Sequence, residues 1–270
     1  MTTTKPELVL SHTENAICTI TLNRPDKLNS FTRALHAQLM AALKAAQADA
    51  TVRCIVLTGA GRAFSAGQDL SDMDFTDLPN NPLAPQLADL VGEYFNPLIL
   101  ALQNCRVPII AAVNGTAAGA GANLALACDI VVAKQSTSFL QAFVNIGLLP
   151  DSGGTYFLPR AVGTARALGL SMLGDKLSAQ SAKDMGLIWD CVADDAFDAQ
   201  VQTLAARLAA LPTQSLLASR YAIRHSTHSL PEQLQLENTL QTKLAATHDF
   251  NEGVQAFLQK RKAVFTGSAA

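Results

Sequence analysis

Apolar positions come in short unbroken runs over the first two-thirds of the chain. Leu8-Val9-Leu10, Ile17-Cys18-Thr19-Ile20-Thr21-Leu22 and Cys54-Ile55-Val56-Leu57-Thr58 are runs of strand length. So are Pro108-Ile109-Ile110-Ala111-Ala112-Val113, Asp129-Ile130-Val131-Val132-Ala133 and the shorter Ser138-Phe139-Leu140. Between these runs the period lengthens. Phe31, Leu35, Leu39 and Leu43 recur every four residues, which predicts a helix to about residue 48 with Ser30 as its N-cap. Another helix is predicted over about 87–104 and a short one from Gly154 to Leu158. Two more are expected near 163–173 and 178–185, stopped by Gly174 and Gly186, with Ser178 capping the second. After Ile188-Trp189-Asp190-Cys191-Val192 the pattern is helical alone, near 195–211, 213–226, 231–247 and 251–262. Residues 71–86 have no period and are rich in Pro, Asn and Asp, so they read as a long loop. Alternating strands and helices followed by helices alone imply an α/β core with a helical tail.

Two of the strands end in loops of small residues. The run to Val113 breaks at Asn114-Gly115, passes Gly119 and Gly121, and becomes helical to Cys128. The run to Thr58 ends in Gly59-Ala60-Gly61-Arg62-Ala63-Phe64-Ser65-Ala66-Gly67-Gln68-Asp69-Leu70. A strand that ends in a glycine-rich turn and opens a helix directs free backbone N–H groups at one point, and small side chains let a ligand approach them. Such a turn serves either close strand–helix packing or anion binding. The Gly-Lys-Ser/Thr end of a phosphate loop is absent, and no G-x-G-x-x-G fingerprint is complete. Two such loops on one sheet can each give one N–H to an oxyanion hole.

Composition narrows the classes further. The 270 residues are 49% hydrophobic and 16% charged, with a net charge of −2, which describes a globular chain without a nucleic-acid or membrane field. Five cysteines, at 18, 54, 105, 128 and 191, show no C-x-x-C spacing and read as reduced core residues of a cytoplasmic protein, with no metal site expected. MTTTKPELVL lacks the apolar segment of a signal peptide, and the most apolar window, 107–133, is interrupted by Asn114, Gly115, Gly119, Gly121 and Asn123, so no membrane span is expected. The five histidines lie outside the core motifs and read as surface or interface residues; His225 and His228, at i, i+3, lack a third ligand.

GRAFSAGQDL, VNGTAAGAGANLALACD and NIGLLPDSGGTYFLPRAVG, in this order and at these separations, resemble the crotonase (enoyl-CoA hydratase/isomerase) superfamily. TITLNRPDKLNSF near the start and EGVQAFLQKRKAVFTG near the end extend the resemblance over nearly the whole chain. It implies a spiral of repeated ββα units over residues 1–195, carrying the CoA-thioester site. The helical region 196–270 is then expected to serve oligomerisation, as a homotrimer or a dimer of trimers, and to cover the CoA. No separate cofactor is expected, because coenzyme A is part of the substrate.

By the same resemblance the oxyanion donors are the backbone N–H groups of Gln68 and Ala120. Hydratases of the family carry two catalytic glutamates; here those positions hold Asn123 and Phe143. Neither an amide nor a phenyl ring activates water or protonates a carbon. One carboxylate remains, Asp151 in LLPDSGG, at the position that isomerases and a dehalogenase of the superfamily use. With an oxyanion hole, it suits a proton shuttle: migration of a β,γ double bond to α,β, or rearrangement of an aromatic ring epoxide thioester to an oxepin. The plainer alternative for Asp151 is an N-cap of the following helix. Asn123 either touches the reacting groups or simply binds backbone. Lys27, Leu28, Asn29 and Ala66 are expected at the nucleotide end of CoA, with Phe257 and Lys260 lent by a neighbouring subunit. Lys260-Arg261-Lys262 reads as a phosphate clamp or as a cationic helix end. Phe143, Phe75 and the 71–86 loop are expected to shape the acyl pocket. Competing readings are a hydratase or aryl-CoA dehalogenase on the same scaffold, and an RNA-associated member, which the net charge of −2 disfavours.

Overall fold

A computed structural model describes residues 6–80, 82–226 and 229–268. Strands β1 (Val9–Glu14) and β2 (Ile17–Leu22) form a hairpin closed at Asn15 and Ala16, both at positive φ. Helix α1 (Arg33–Ala48) follows and buries Leu35, Leu39 and Leu43 as the four-residue period requires. Its cap is Thr32, whose hydroxyl accepts from Leu35 N, and not Ser30. The helix cannot begin earlier, because the Phe31 N–H and C=O are taken by Gly67 O and Asp69 N.

Three strand pairs then repeat. β3 (Cys54–Gly59) is followed by the short β4 (Ala63–Ser65). Helices α2 (Leu83–Asp89) and α3 (Asn96–Gln103) are joined by a π-helical turn, Leu90–Phe95, so the helix expected over 87–104 starts earlier and bulges before Pro97. β5 (Ile109–Val113) is followed by β6 (Thr116–Ala118) and α4 (Ala120–Leu126). β7 (Ile130–Lys134) is followed by β8 (Ser138–Leu140) and α5 (Gly154–Leu173). Helix α5 spans both segments expected at 154–158 and 163–173; Gly163, at φ 78°, makes the break inside it. β9 (Lys176–Ser178), α6 (Ala179–Asp184, capped by Ser178) and β10 (Asp190–Val192) complete this part.

The first strands of each pair lie in one six-stranded sheet, β1-β2-β3-β5-β7-β10, parallel beyond the initial hairpin. The second strands lie in a four-stranded sheet, β4-β6-β8-β9. This alternation between two sheets is the expected spiral of ββα turns rather than a doubly wound sheet. It stacks the loop after β4 beside the turn after β6, which brings the two glycine-rich motifs together.

The tail comprises α7 (Phe197–Ala210), α8 (Thr213–Arg224), α9 (Leu230–Ala245) and α10 (His248–Leu258). Helix α7 packs Phe197, Val201, Ala205 and Leu208 on Ile17, Val56, Ile110 and Val132, so the core runs across residue 195. Helix α8 is held by Arg220 and Arg224, which both pair with Asp129, at 3.2 and 2.8 Å. Among the described residues no helix is long and apolar enough to cross a membrane, and no group of three metal-ligating side chains gathers. All five cysteines are free; four are buried and Cys191 is half-buried.

His36 departs from the surface reading. It is 3% exposed, packed between Phe31, Tyr94 and Phe95, and neither ring nitrogen has a hydrogen-bond partner. Burial lowers its pKa from 6.5 to about 4. The unfolded chain therefore takes up this proton first, and stability is lost as pH falls from 6.5 toward 4. Replacing His36 by Phe is expected to shrink the loss of unfolding free energy between about pH 7.5 and 4.5 by roughly 2–3 kcal/mol. Urea melts at the two pH values check this; an unchanged difference contradicts it.

Candidate active site

The meeting of the two glycine-rich loops begins at Gly67, whose φ of +85° favours glycine. A Cβ there would lie 2.9 Å from Ala118 O and 3.3 Å from Ala120 N, so the β4 loop presses directly on the start of α4. Gly121 is as tightly held: its Cβ would meet Ser65 O at 2.5 Å. Gly119 takes φ 53° and ψ −128°, a conformation that glycine alone adopts without strain, and so turns the chain into the helix.

Among the described residues, this arrangement leaves two N–H groups without a backbone partner. Phe31 N donates to Gly67 O at 2.7 Å, and Asp69 N donates to Phe31 O at 2.8 Å, a parallel bridge centred on Gln68. In such a bridge the middle residue's own N–H points away from the partner strand. Ala120 is the first residue of α4, where the N–H has no partner within the helix. The structure thus sets the two predicted donors side by side, each without an obligation to its own element.

Phe143 closes one side. It is buried, and its ring lies 3.8 Å from the position of a Gly119 Cβ. Phe75, by contrast, is 48% exposed on the loop that Asp74, Thr76 and Gln86 organise by hydrogen bonds.

Asn123 lies one turn of α4 beyond Ala120 and is fully buried. Its Nδ2 donates to the main-chain carbonyl of Asp151 at 2.8 Å, and its Oδ1 accepts from Gln141 Nε2 at 2.9 Å. Asn123 therefore fixes the Asp151 backbone, the second of the two roles that the sequence leaves open for it. Gly154 permits the approach, since a Cβ there would lie 2.4 Å from Asn123 Nδ2. Gln141 and Ser152, which complete this anchor, escaped sequence reasoning because nothing local marks an amide whose partner is 18 residues away.

The Asp151 main chain is thus tied, through Asn123, to the first turn of the helix that Ala120 opens. Asp151 is not an N-cap: Gly153 holds that place in α5, without a side-chain cap. The Asp151 carboxyl accepts from Ser152 Oγ at 2.8 Å, and Ser152 sits at φ 51°. Burial pushes the carboxyl above the usual carboxylate range, against the pull of the Ser152 hydroxyl. A half-buried carboxyl with a raised pKa is suited to exchanging a proton with a bound ligand.

The residues expected at coenzyme A divide. Ala66 N donates to Leu28 O at 2.9 Å, so Lys27, Leu28 and Ala66 share one rim, with Lys27 and Ala66 exposed. Asn29 is buried: Nδ2 donates to Ala60 O and Ala63 O, and Oδ1 accepts from Arg24 N. Its side chain is consumed by the fold and cannot reach a ligand. Phe257, 82% exposed, and Lys260 stand at the end of α10, away from any partner within the protomer that would hide them. Arg261 is taken out of the suggested phosphate clamp by two hydrogen bonds to Glu252, at 2.6 and 2.7 Å. His225 stacks on Tyr221, and His228 lies outside the described residues. A separate cavity of about 1100 Å³, between the start of β7, α5 and α8, contains none of these residues.

Residues 12–268 match the family model described as enoyl-CoA hydratase/isomerase. The chain belongs to this family. As a crotonase-family protein it is an enzyme acting on CoA thioesters. It is 48% identical over 262 residues to 1,2-epoxyphenylacetyl-CoA isomerase of Escherichia coli K12, covering 97% of this chain and 99% of the relative. It is 47% identical over 252 residues to a Rhodobacter capsulatus protein named "probable enoyl-CoA hydratase", covering 93% and 95%. An enoyl-CoA hydratase structure from Bacillus anthracis superposes with a TM-score of 0.89 at 30% identity, covering 97% of this chain and 100% of that one.

Proposed function

We propose that the chain is a coenzyme-A thioester isomerase that converts the ring-1,2-epoxide of phenylacetyl-CoA to its oxepin, with β,γ to α,β double-bond migration as a related activity. The observation that carries this reading is the solitary Asp151. The two positions where hydratases of the family hold glutamates carry a backbone-anchoring amide, Asn123, and an apolar ring, Phe143. The name of the Escherichia coli relative supports the choice of substrate.

The chemistry follows from the parts. The thioester oxygen accepts hydrogen bonds from Gln68 N–H and Ala120 N–H. Charge that develops there during α-proton loss or ring opening is met by fixed dipoles rather than by reorganising water. The Asp151 carboxylate takes a proton from one carbon and returns it to another in migration; in the epoxide rearrangement the protonated carboxyl donates a hydrogen bond to the ring oxygen while the C–C bond of the epoxide opens, with no net proton transfer. Phe143 keeps the acyl end apolar, as an aryl group requires. Lys27, Leu28 and Ala66 hold the nucleotide end. In a trimer, Phe257 and Lys260 reach a neighbour's nucleotide; their exposure supports that reading.

Purified protein is expected to turn over the phenylacetyl-CoA ring epoxide to oxepin-CoA, read by liquid chromatography with mass and ultraviolet detection. A failure to convert it, with efficient double-bond migration in 3-hexenoyl-CoA, moves the function to allylic isomerisation. Inactivity on both overturns the proposal.

A further inference from the structure

The residue after the Gln68 donor carries more polar contacts than a surface turn needs. Asp69 Oδ2 accepts from Arg24 Nη2 at 3.0 Å and from Ser30 Oγ at 3.4 Å. Its Oδ1 accepts from Ser71 N and Oγ, at 3.1 and 2.6 Å. The two side chains of the ion pair are only 17% and 13% exposed. Arg24 Nη1 also donates to the Ser30 carbonyl at 2.6 Å, which fixes the residue just before Phe31. Burial opposes the Asp69 charge, yet the Ser71 and Arg24 contacts hold its pKa below the usual value, so the carboxylate is charged throughout the working range.

Gln68 is therefore gripped from both directions. On one side, its neighbours Gly67 and Asp69 are hydrogen-bonded to Phe31 main chain. On the other, Asp69 is locked to the segment that carries Phe31 by the Arg24 fork. The same segment holds Leu28, whose carbonyl accepts from Ala66 N on the nucleotide rim. A peptide plane bracketed by two backbone bonds can still rock about its Cα atoms. An ion pair from Asp69 to the segment that carries Phe31 restrains that motion at the Asp69 end of the bracket.

We propose that the Arg24–Asp69 ion pair is the positioning device that aims the Gln68 N–H at the thioester oxygen, making both residues positioning residues for catalysis. This rests on the reading of Gln68 as an oxyanion donor. Asp69 also caps the turn Leu70–Asp72 through Ser71, and that cap alone would make it merely structural. The two roles separate in Arg24→Lys, which leaves the Asp69–Ser71 contacts in place but loses the guanidinium fork.

The test uses the full-length protein with Asp69→Asn and Arg24→Lys. The readouts are kcat, KM and the absorption of a bound push–pull cinnamoyl-CoA, whose band moves to the red as hydrogen bonds polarise its thioester carbonyl. A donor shifted by a fraction of an ångström costs rate far more than binding. Both variants are expected to lose roughly 10- to 100-fold in kcat. KM is expected to stay within about threefold, and the red shift of the bound probe to shrink. Wild-type kcat and red shift in Arg24→Lys overturn the proposal, even if Asp69→Asn is unstable. A wild-type protein that binds the probe without any red shift overturns the oxyanion reading itself, and this proposal with it.

Discussion

Asp151→Asn is expected to lose about 10²- to 10⁴-fold in kcat, the usual contribution of a positioned acid–base group, while folding normally. The amide keeps the shape of the carboxyl and can still accept from Ser152 Oγ, so the turn at Ser152 and Gly153 has no reason to move. What disappears is the group that takes and returns the proton. Stability should go the other way. Burial raises the folded-state pKa of Asp151, so the folded protein holds this proton more tightly than the unfolded chain does. Stability is then lost as pH rises through the window between the unfolded and folded values, and above it the buried charge is a standing cost. The Asn variant does not bear that cost. Its melting temperature near neutral pH is expected to equal or exceed that of wild type. Activity assays beside thermal melts decide this. An active variant places the working carboxylate elsewhere, and an inactive variant with a much lower melting temperature makes Asp151 a structural residue.

The second large effect comes from deleting a donor that no side-chain change can reach. Ala120→Pro removes the N–H at the first position of α4, where proline fits best because that N–H has no helical partner. The residue before it must avoid the helical region, and Gly119, at φ 53° and ψ −128°, already does. The fold should therefore hold while one of the two hydrogen bonds to the developing oxyanion is lost. Removing such a donor costs about 3–4 kcal/mol of transition-state stabilisation, so kcat is expected to fall by roughly 10²- to 10³-fold. Circular dichroism confirms the fold, and steady-state rates give the loss. An unchanged kcat in a folded variant shows that the thioester oxygen sits elsewhere.

Several site features were legible in the sequence because they are local. A strand that ends in small residues and opens a helix is visible in one dimension, and Gly67, Gly119 and Gly121 turn out to sit where a Cβ or a negative φ does not fit. The single carboxylate stood out only through the family resemblance, which implies glutamates where this chain has Asn123 and Phe143. What depends on distant partners was not legible. Asn29 sits in the right segment, but its side chain is spent on Ala60 and Ala63 carbonyls more than 30 residues away. For Asn123 the sequence leaves contact with the reacting groups and backbone binding both open, and only the fold shows its hydrogen bond to the Asp151 main chain. Ser30 looks like a cap, yet the bridge from Phe31 to the 67–69 loop moves the helix start to Thr32. His36 shares a helix with buried leucines, but its own burial depends on Tyr94 and Phe95 coming across from the π-helical turn. The three-residue strands β4, β6 and β9 carry too few positions for any period to show.

The claim at the centre is that a site with one carboxylate and two aimed N–H groups moves protons and does not add water. The direct measurement compares initial rates of 3-hexenoyl-CoA isomerisation and crotonyl-CoA hydration by the wild-type protein under identical conditions. The account predicts that isomerisation exceeds hydration by at least about 100-fold, the scale of one missing acid–base group. Hydration that matches or exceeds isomerisation contradicts it, and requires a second proton-transfer group that Asn123 and Phe143 do not supply.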